Sequence, residues 1–394
     1  MTRLGAAMQK IDERIPGVDL PLMSVSQTKG VVRRSELTDA PQRAESLDAY
    51  KVCRKGDVVF NKMKIRSGAM GIAHEDGLVT YHYEVMRPRE GMNPRYIVHL
   101  MKSSWFTSEL IARERGISAG GEHGGIRTTE VPFTVLRTID VLLPEIDEQQ
   151  AIADYLDRET ARIDTLIDEQ QRLIEMLRER RAAVLSAAFD ASPSTVATKV
   201  GRLLAARPSY GVLVPRYVDE AEGVPFIRVG DLLNLTPERP MLTIAPEQSD
   251  EYSRTKIVGG EVLLGVVGKM GQATLAPQWL AGANVARAVA VLRCKDPAAA
   301  PLLCAWLGSN NFLYQAELAT SGDSIQPTLG MRDLARFDIN LPTDPNAAAD
   351  LASRLAKIDM LIAETERFIE LAKERRAALI TAAVTGQIDV REMA

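Results

Sequence analysis

The chain has 394 residues, enough for two or three ordinary domains, with 46% hydrophobic and 25% charged residues. Its longest apolar runs fall short of the roughly 18 residues needed to cross a bilayer, and MTRLGAAMQKIDERIPG at the start lacks a signal-peptide core. Three scattered cysteines (Cys53, Cys294, Cys304) exclude a disulfide framework, and a net charge of −4 excludes a generally polycationic nucleic-acid coat. A cytoplasmic protein with reduced thiols and no membrane association is expected.

Residues 1–144 are read as a first globular head, mildly basic with 21 basic and 17 acidic side chains. Short β-rich runs such as KGDVVF (55–60) are separated by Gly, Pro and Asn, and a helical pattern follows near 95–114. A Gly-rich stretch, SAGGEHGGIRTTE (118–130), reads as a loop.

Residues 145–192 are acidic, with six basic and 12 acidic side chains. A helix is predicted from about Asp147 to Phe189. Its expected seam is Ile152, Leu156, Glu159, Ile163, Leu166, Gln170, Leu173, Leu177, Arg180 and Val184, widened by Ile167, Ile174 and Leu185. The spacing alternates four and three residues, the heptad rule.

Residues 193–342 are read as a second head with no net charge, carrying the runs GGEVLLG (259–265) and RAVAVLRC (287–294). Residues 343–394 contain a second long helix from about Ala347, presenting Leu351, Leu355, Ile358, Leu361, Ile362, Phe368, Ile369, Leu379 and Ile380.

The order head, helix, head, helix is a duplication. IDTLIDEQQRLIEMLRERRAAVLSAAF (163–189) and IDMLIAETERFIELAKERRAALITAAV (358–384) share 15 of 27 residues without a gap, at an offset of 195. Fainter parallels place PLMSVSQTKGVV (21–32) against PFIRVGDLLNL (225–235), and KVCRKGDVVFNKMKIRSGAMGIA (51–73) against TKIVGGEVLLGVVGKMGQATLA (255–276). The simplest packing of two apolar seams on one chain is antiparallel. The expected fold is therefore α+β: two recognition-type heads separated by two long helices in an antiparallel coiled coil, with pseudo-two-fold symmetry.

Several enzyme classes lack their signatures. There is no Asn/Asp-Pro-Pro-aromatic motif of an adenine methyltransferase, since Asn93-Pro94 is followed by Arg95. No P-loop surrounds Gly268-Lys269, and no GxSxG elbow occurs. His74, His82, His99 and His123 do not pair with cysteines at zinc-ligand spacing.

Over nearly its whole length the chain resembles the specificity subunits of type I restriction-modification systems. The residues that carry the resemblance are LLPEIDEQQAIADYLD (142–157), the duplicated helix, PFIRVGDL (225–232), the turns KGDVVF and GGEVLLG, ANVARAVAVLR (283–293) and LITAAVTGQIDVRE (379–392). The resemblance implies two target-recognition domains reading the two parts of a split site on double-stranded DNA. It also implies helices that hold them apart and dock two methyltransferase subunits, with restriction subunits joining the full complex. The chain itself would be non-catalytic and bind no cofactor; S-adenosylmethionine, ATP and Mg would sit on partner subunits. Head one departs from the pattern by having PLMS for PFIR and a short N-terminal stretch that does not resemble its head-two counterpart. The departure implies either a missing N-terminal element or a divergent head one. TDPNAAADLA (343–352) lacks the glutamine pair, so the resemblance supports partner docking less strongly at that end.

DNA contacts need cations, hydroxyls and amides on loops or element ends. In head one the candidates are Asn61, Lys62, Lys64, Arg66 and Ser67, with the three cations expected to share one face of a strand. The Gly-rich loop adds His123 and Arg127. In head two the candidates are Lys269 and Gln272, then Asn284 and Arg287, then Ser324 and Gln326 in SGDSIQPT (321–328). The alternative to DNA reading is a coiled-coil adaptor whose heads bind protein ligands.

Overall fold

The computed structural model describes residues 1–39, 46–113, 131, 133–219, 222–268, 270–320 and 327–393. The chain divides into two compact units, Met1–Gln171 with Arg367–Ala394, and Arg172–Glu366. Each unit holds one head and a portion of both long helices.

In the first unit a four-stranded antiparallel sheet has the order Met8–Ile11, Tyr83–Pro88, Val58–Asn61, Met70–Ile72. Alternation along Val58–Asn61 sends Val58 and Phe60 to one face and Val59 to the other. Val58 and Phe60 pack with Tyr96, Leu100 and Phe106 of the helices Pro94–Lys102 and Ser104–Arg113. Val59 joins Met23, Val31, Val79 and Val85 on the opposite side. Asn93 caps the first of these helices and Pro94 opens it, which defines its start.

The second unit repeats this plan. Its sheet runs Ser209–Tyr210, Val289–Leu292, Val262–Gly265, Ala273–Leu275. Val262 and Leu264 face Trp306 and Phe312 on the helices Ala300–Trp306 and Asn310–Thr320, while Leu263 faces Ile227, Leu232 and Val285. A further sheet, Tyr217–Val218, Leu242–Ile244, Val224–Ile227, Asn284–Val285, is added on that side. The alignment of PLMS with PFIR holds in space: Leu22 bridges Leu78 in parallel, as Phe226 does Asn284.

The N-terminal element of head one is not missing but present in shortened form. Thr2–Arg3 pairs with Asp140–Val141 as Thr195–Lys199 pairs with Asp338–Pro342. A one-turn helix follows in each, Leu4–Ala7 and Val200–Leu203. Both carry glycine where the backbone passes a neighbouring helix. A Cβ on Gly5 would lie 2.9 Å from Arg137 Cβ, and one on Gly201 2.8 Å from Ala335 O.

The turn before the second sheet strand is also shared. Asp57 is buried, accepts from Arg54 N at 2.8 Å and receives both Nε and Nη2 of Arg87. Glu261 is likewise buried, accepts from Val258 N and Gly259 N, and pairs with Arg293 Nε at 3.3 Å. The Gly-Asp/Glu-Val motif thus supplies an acceptor for a tight turn and an anchor for the arginine closing the adjacent strand.

The long helices span Ile146–Ala188 and Ala347–Val384. Asp147 and Glu148 occupy the positive N-terminal end of the first. The second stops at Gly386, whose φ of 73° is left-handed, with Gln387 N donating to Ala382 O at 2.9 Å. In the second unit Arg178 pairs with Glu366 and Arg181 with Asp359, so the partner number falls as the first rises. In the first unit Asp164 pairs with Arg376, and Tyr96 Oη lies 2.8 Å from Leu142 O, just before the first helix, and 3.4 Å from Val384 O, at the end of the second. The helix portions in each unit are antiparallel.

The seam differs from its expected form at several positions, and Arg180, expected in it, is exposed. Leu156 and Leu177 are buried as expected, but Leu166 and Leu173 are exposed, at 36% and 37%, and Ile167 and Ile174 are buried in their place. Thr160 is buried where Glu159 was expected, its hydroxyl satisfied by Leu156 O at 2.6 Å. The second helix buries Leu351, Leu355, Ile358, Thr365, Ile369, Ala372 and Ile380, while Leu361 and Phe368 are exposed. Apolar residues at adjacent positions satisfy either heptad register, so spacing alone does not choose between them.

Gln149 is wholly buried. Its amide donates to Pro144 O at 2.8 Å and Gly91 O at 3.3 Å, and its carbonyl accepts from Asn93 N at 2.9 Å. The glutamine of the LLPEIDEQQ motif fastens head one to its helix and leaves no polar atom for a partner.

Candidate nucleic-acid interface

In each head three segments converge at one end of the main sheet. In head one the strand Val58–Asn61 ends at Asn61, and residues 62–68 are not extended. Asn61 Oδ1 accepts from Met63 N at 2.9 Å, a side-chain-closed turn. Ile65–Ser67 then form a 3-10 turn, ended by Gly68 at φ 77°. Lys62, Lys64 and Arg66 therefore do not share a strand face. The buried Ile65 pins the turn, and Lys64, Arg66 and Ser67 are exposed around it while Lys62 is half-buried. Ser67 Oγ donates to Lys64 O at 3.0 Å and accepts from Gln27 Nε2 at 2.9 Å.

Two further segments meet this turn. Lys62 N donates to His82 O at 3.2 Å, and Val131 N donates to Lys62 O at 3.2 Å. Tyr81 is 59% exposed, with its ring 3.9 Å from that of His82. Among the described residues His82 Nδ1 has no hydrogen-bond partner although buried. The sequence reading missed Tyr81, His82 and Gln27; the aromatic run Tyr81-His82-Tyr83 just before a strand was the available signal.

Head two repeats the arrangement. Val266 N donates to Ala288 O at 2.9 Å, Leu329 N to Val266 O at 2.9 Å, and Gly268 N to Pro327 O at 3.2 Å. Arg287 is exposed at the tip of the segment before Val289–Leu292. Its main chain is fixed, since Arg287 N donates to Val212 O at 2.9 Å and Ala286 N to Ile227 O at 2.9 Å.

Asn284 departs from its expected role. It is wholly buried: its amide donates to Ser249 O and Oγ at 3.1 Å, and its carbonyl accepts from Thr255 Oγ1 at 2.7 Å. It supports the segment that carries Arg287 and cannot reach a ligand. Gln272 lines a cavity of about 460 Å³ with Leu185, Leu302, Cys304, Leu351 and Leu355. Burial pushes the Cys53 and Cys304 thiols up to about 11, which disfavours the nucleophilic thiolate. His123, Arg127, Lys269, Ser324 and Gln326 lie outside the described residues.

The fold is found in solved structures. One, described as "Structural basis underlying complex assembly and conformational transition of the type I R-M system", superposes with a TM-score of 0.75 at 19% identity, covering 98% of this chain and 97% of the other. The fold is that of a type I specificity subunit. The HsdS subunit from Thermoanaerobacter tengcongensis also matches, with a TM-score of 0.56 at 19% identity over 98% of this chain and 96% of that one. In sequence, the chain is similar to the specificity subunits of two type I restriction enzymes. It is 28% identical to that of StySPI from Salmonella potsdam over 110 residues, 28% of this chain and 22% of the relative. It is 27% identical to that of EcoBI from Escherichia coli over 229 residues, 51% and 48% of the two. The matches thus span less than half the length of either relative. No family model matches the chain. No helix among the described residues is long and apolar enough to cross a membrane.

Proposed function

We propose that this chain is the DNA-specificity subunit of a type I restriction-modification complex, in which each head reads one part of a bipartite site on double-stranded DNA. The observation that carries the reading is the duplicated site. Two heads with different side chains present the same three segments at the same sheet end, and each is followed by a long helix. DNA readers place polar and cationic side chains on fixed element ends in this way.

The helices supply the docking surface for methyltransferase subunits, two per chain, and restriction subunits join through them. Leu166, Leu173 and Met176 are exposed on the first helix, and Leu361, Phe368 and Leu371 at the corresponding positions of the second. Exposed apolar residues repeated at one offset fit two copies of one partner. The chain contributes recognition only, while S-adenosylmethionine, ATP and Mg act on the partner subunits.

The test is methylation mapping in a host expressing the chain with its methyltransferase. A split motif methylated only when the chain is present supports the reading. Methylation of the same sites without the chain overturns it.

A further inference from the structure

We propose that Arg287 reads a base edge in the half-site of head two, and that Tyr81 holds the equivalent reading position in head one. The proposal rests on the DNA-specificity reading above and assigns its determinants.

The two positions are equivalent by main-chain geometry. The strand residue Asn61 pairs with Tyr83, and Gly265 pairs with Val289. One residue back, His82 O accepts from Lys62 N as Ala288 O accepts from Val266 N. The next residue back is Tyr81 in one head and Arg287 in the other. Both are exposed and stand beside the turn that follows the central strand.

The framework is shared and the side chain is not. A phosphate contact is needed at every half-site and favours the same cationic chemistry in both heads. A base reader must differ when the half-sites differ. A guanidinium at Arg287 offers the paired donors that fit guanine N7 and O6, whereas the phenol of Tyr81 cannot make that contact.

Arg287 is also pre-positioned and unspent. Among the described residues its guanidinium has no hydrogen-bond or ion-pair partner. Its backbone is tied to Val212, and Val212 N is tied back to Val285 O at 2.8 Å. Gly211 permits this approach, for a Cβ there would lie 1.8 Å from Val285 O. Asn284, three residues earlier, is held by its own buried hydrogen bonds. Reading by a side chain on such a support loses little conformational freedom on binding.

The test is selection of the full chain, in complex with its methyltransferase, against a pool of random-sequence DNA duplexes. Wild-type, R287A, R287K and Y81A complexes are compared after thermal melting confirms that each is folded. R287A and R287K should lose roughly ten- to a hundredfold discrimination at one position of one half-site and leave the other half unchanged. Y81A should alter only the other half. A uniform loss of affinity across all sequences for R287A, with a weaker salt dependence, would make Arg287 a phosphate contact and overturn the proposal. An R287A motif identical to wild type also overturns it, while leaving the specificity role intact. A wild-type complex that enriches no motif defeats that role and the proposal together.

Discussion

Arg181 Nε lies 2.7 Å from Asp359 Oδ1, and Arg376 Nε lies 2.8 Å from Asp164 Oδ1. The 195-residue offset between the two helices converts the first pair into the second with the partners exchanged. That reciprocity marks an isologous contact, normally made by two identical chains. Here one polypeptide makes both copies, one within each unit.

These pairs select register more than they add stability. Both are partly exposed, so each coupling should be about 0.5 kcal/mol and fall with salt. Double-mutant cycles by chemical denaturation, with R181A/D359A and R376A/D164A, should give couplings that agree within error. A large coupling in one pair and none in the other would contradict the duplicated contact.

The two shared glycines should resist substitution. Gly201→Val forces a branched side chain against Ala335 O, and a loss of about 1–3 kcal/mol is expected, with Gly5→Val similar. Gly211→Ala should cost at least as much, because its Cβ would meet Val285 O at 1.8 Å. Urea midpoints unchanged by all three substitutions would disprove the close packing.

Asn284 and Arg287 should separate cleanly. Asn284→Ala leaves buried partners unmatched and should destabilise by about 1–3 kcal/mol. Arg287→Ala should leave the melting temperature within a degree or two while changing DNA selection. The reverse pattern would mean that the buried and exposed roles had been exchanged.

Asp157 couples head one to its helix through His99 Nε2 at 2.7 Å and Arg95 Nη1 at 2.9 Å. Burial opposes its ionisation, but bonds from His99 and Arg95 outweigh this and hold its carboxyl below the usual range. A lowered folded-state value means that the stabilisation is complete above the unfolded value of about 3.9 and is lost as pH falls through the folded one. The stability advantage of wild type over Asp157→Asn should shrink as pH falls below about 4. A difference that stays the same from pH 5 down to pH 2 would refute the assignment.

The duplication was legible because a gapless repeat records the helices directly, and Ala347 was found at the start of the second helix as expected. The seam was half legible: Leu166/Ile167 and Leu173/Ile174 offered apolar choices at adjacent positions, and only the packed partner decides between them. Asn284 looked available because polar residues are usually exposed, and its burial depends on Ser249, Tyr252 and Thr255, some 29 to 35 residues away. The cations at 62, 64 and 66 were misplaced for a local reason, since the Asn61 side chain closes a turn where alternation suggested a strand. Gly5 and Gly201 carried the signal for the N-terminal element of head one, but a close approach shows only once the neighbouring helix is in place.

The central claim is that two heads of one plan read two separate half-sites. Grafting residues 1–144 in place of residues 193–342 gives a chain with two copies of head one. Methylation mapping of a host expressing that chain with its methyltransferase should give a motif with two identical halves, each matching the half assigned to head one. Retention of the original unequal halves would contradict the account.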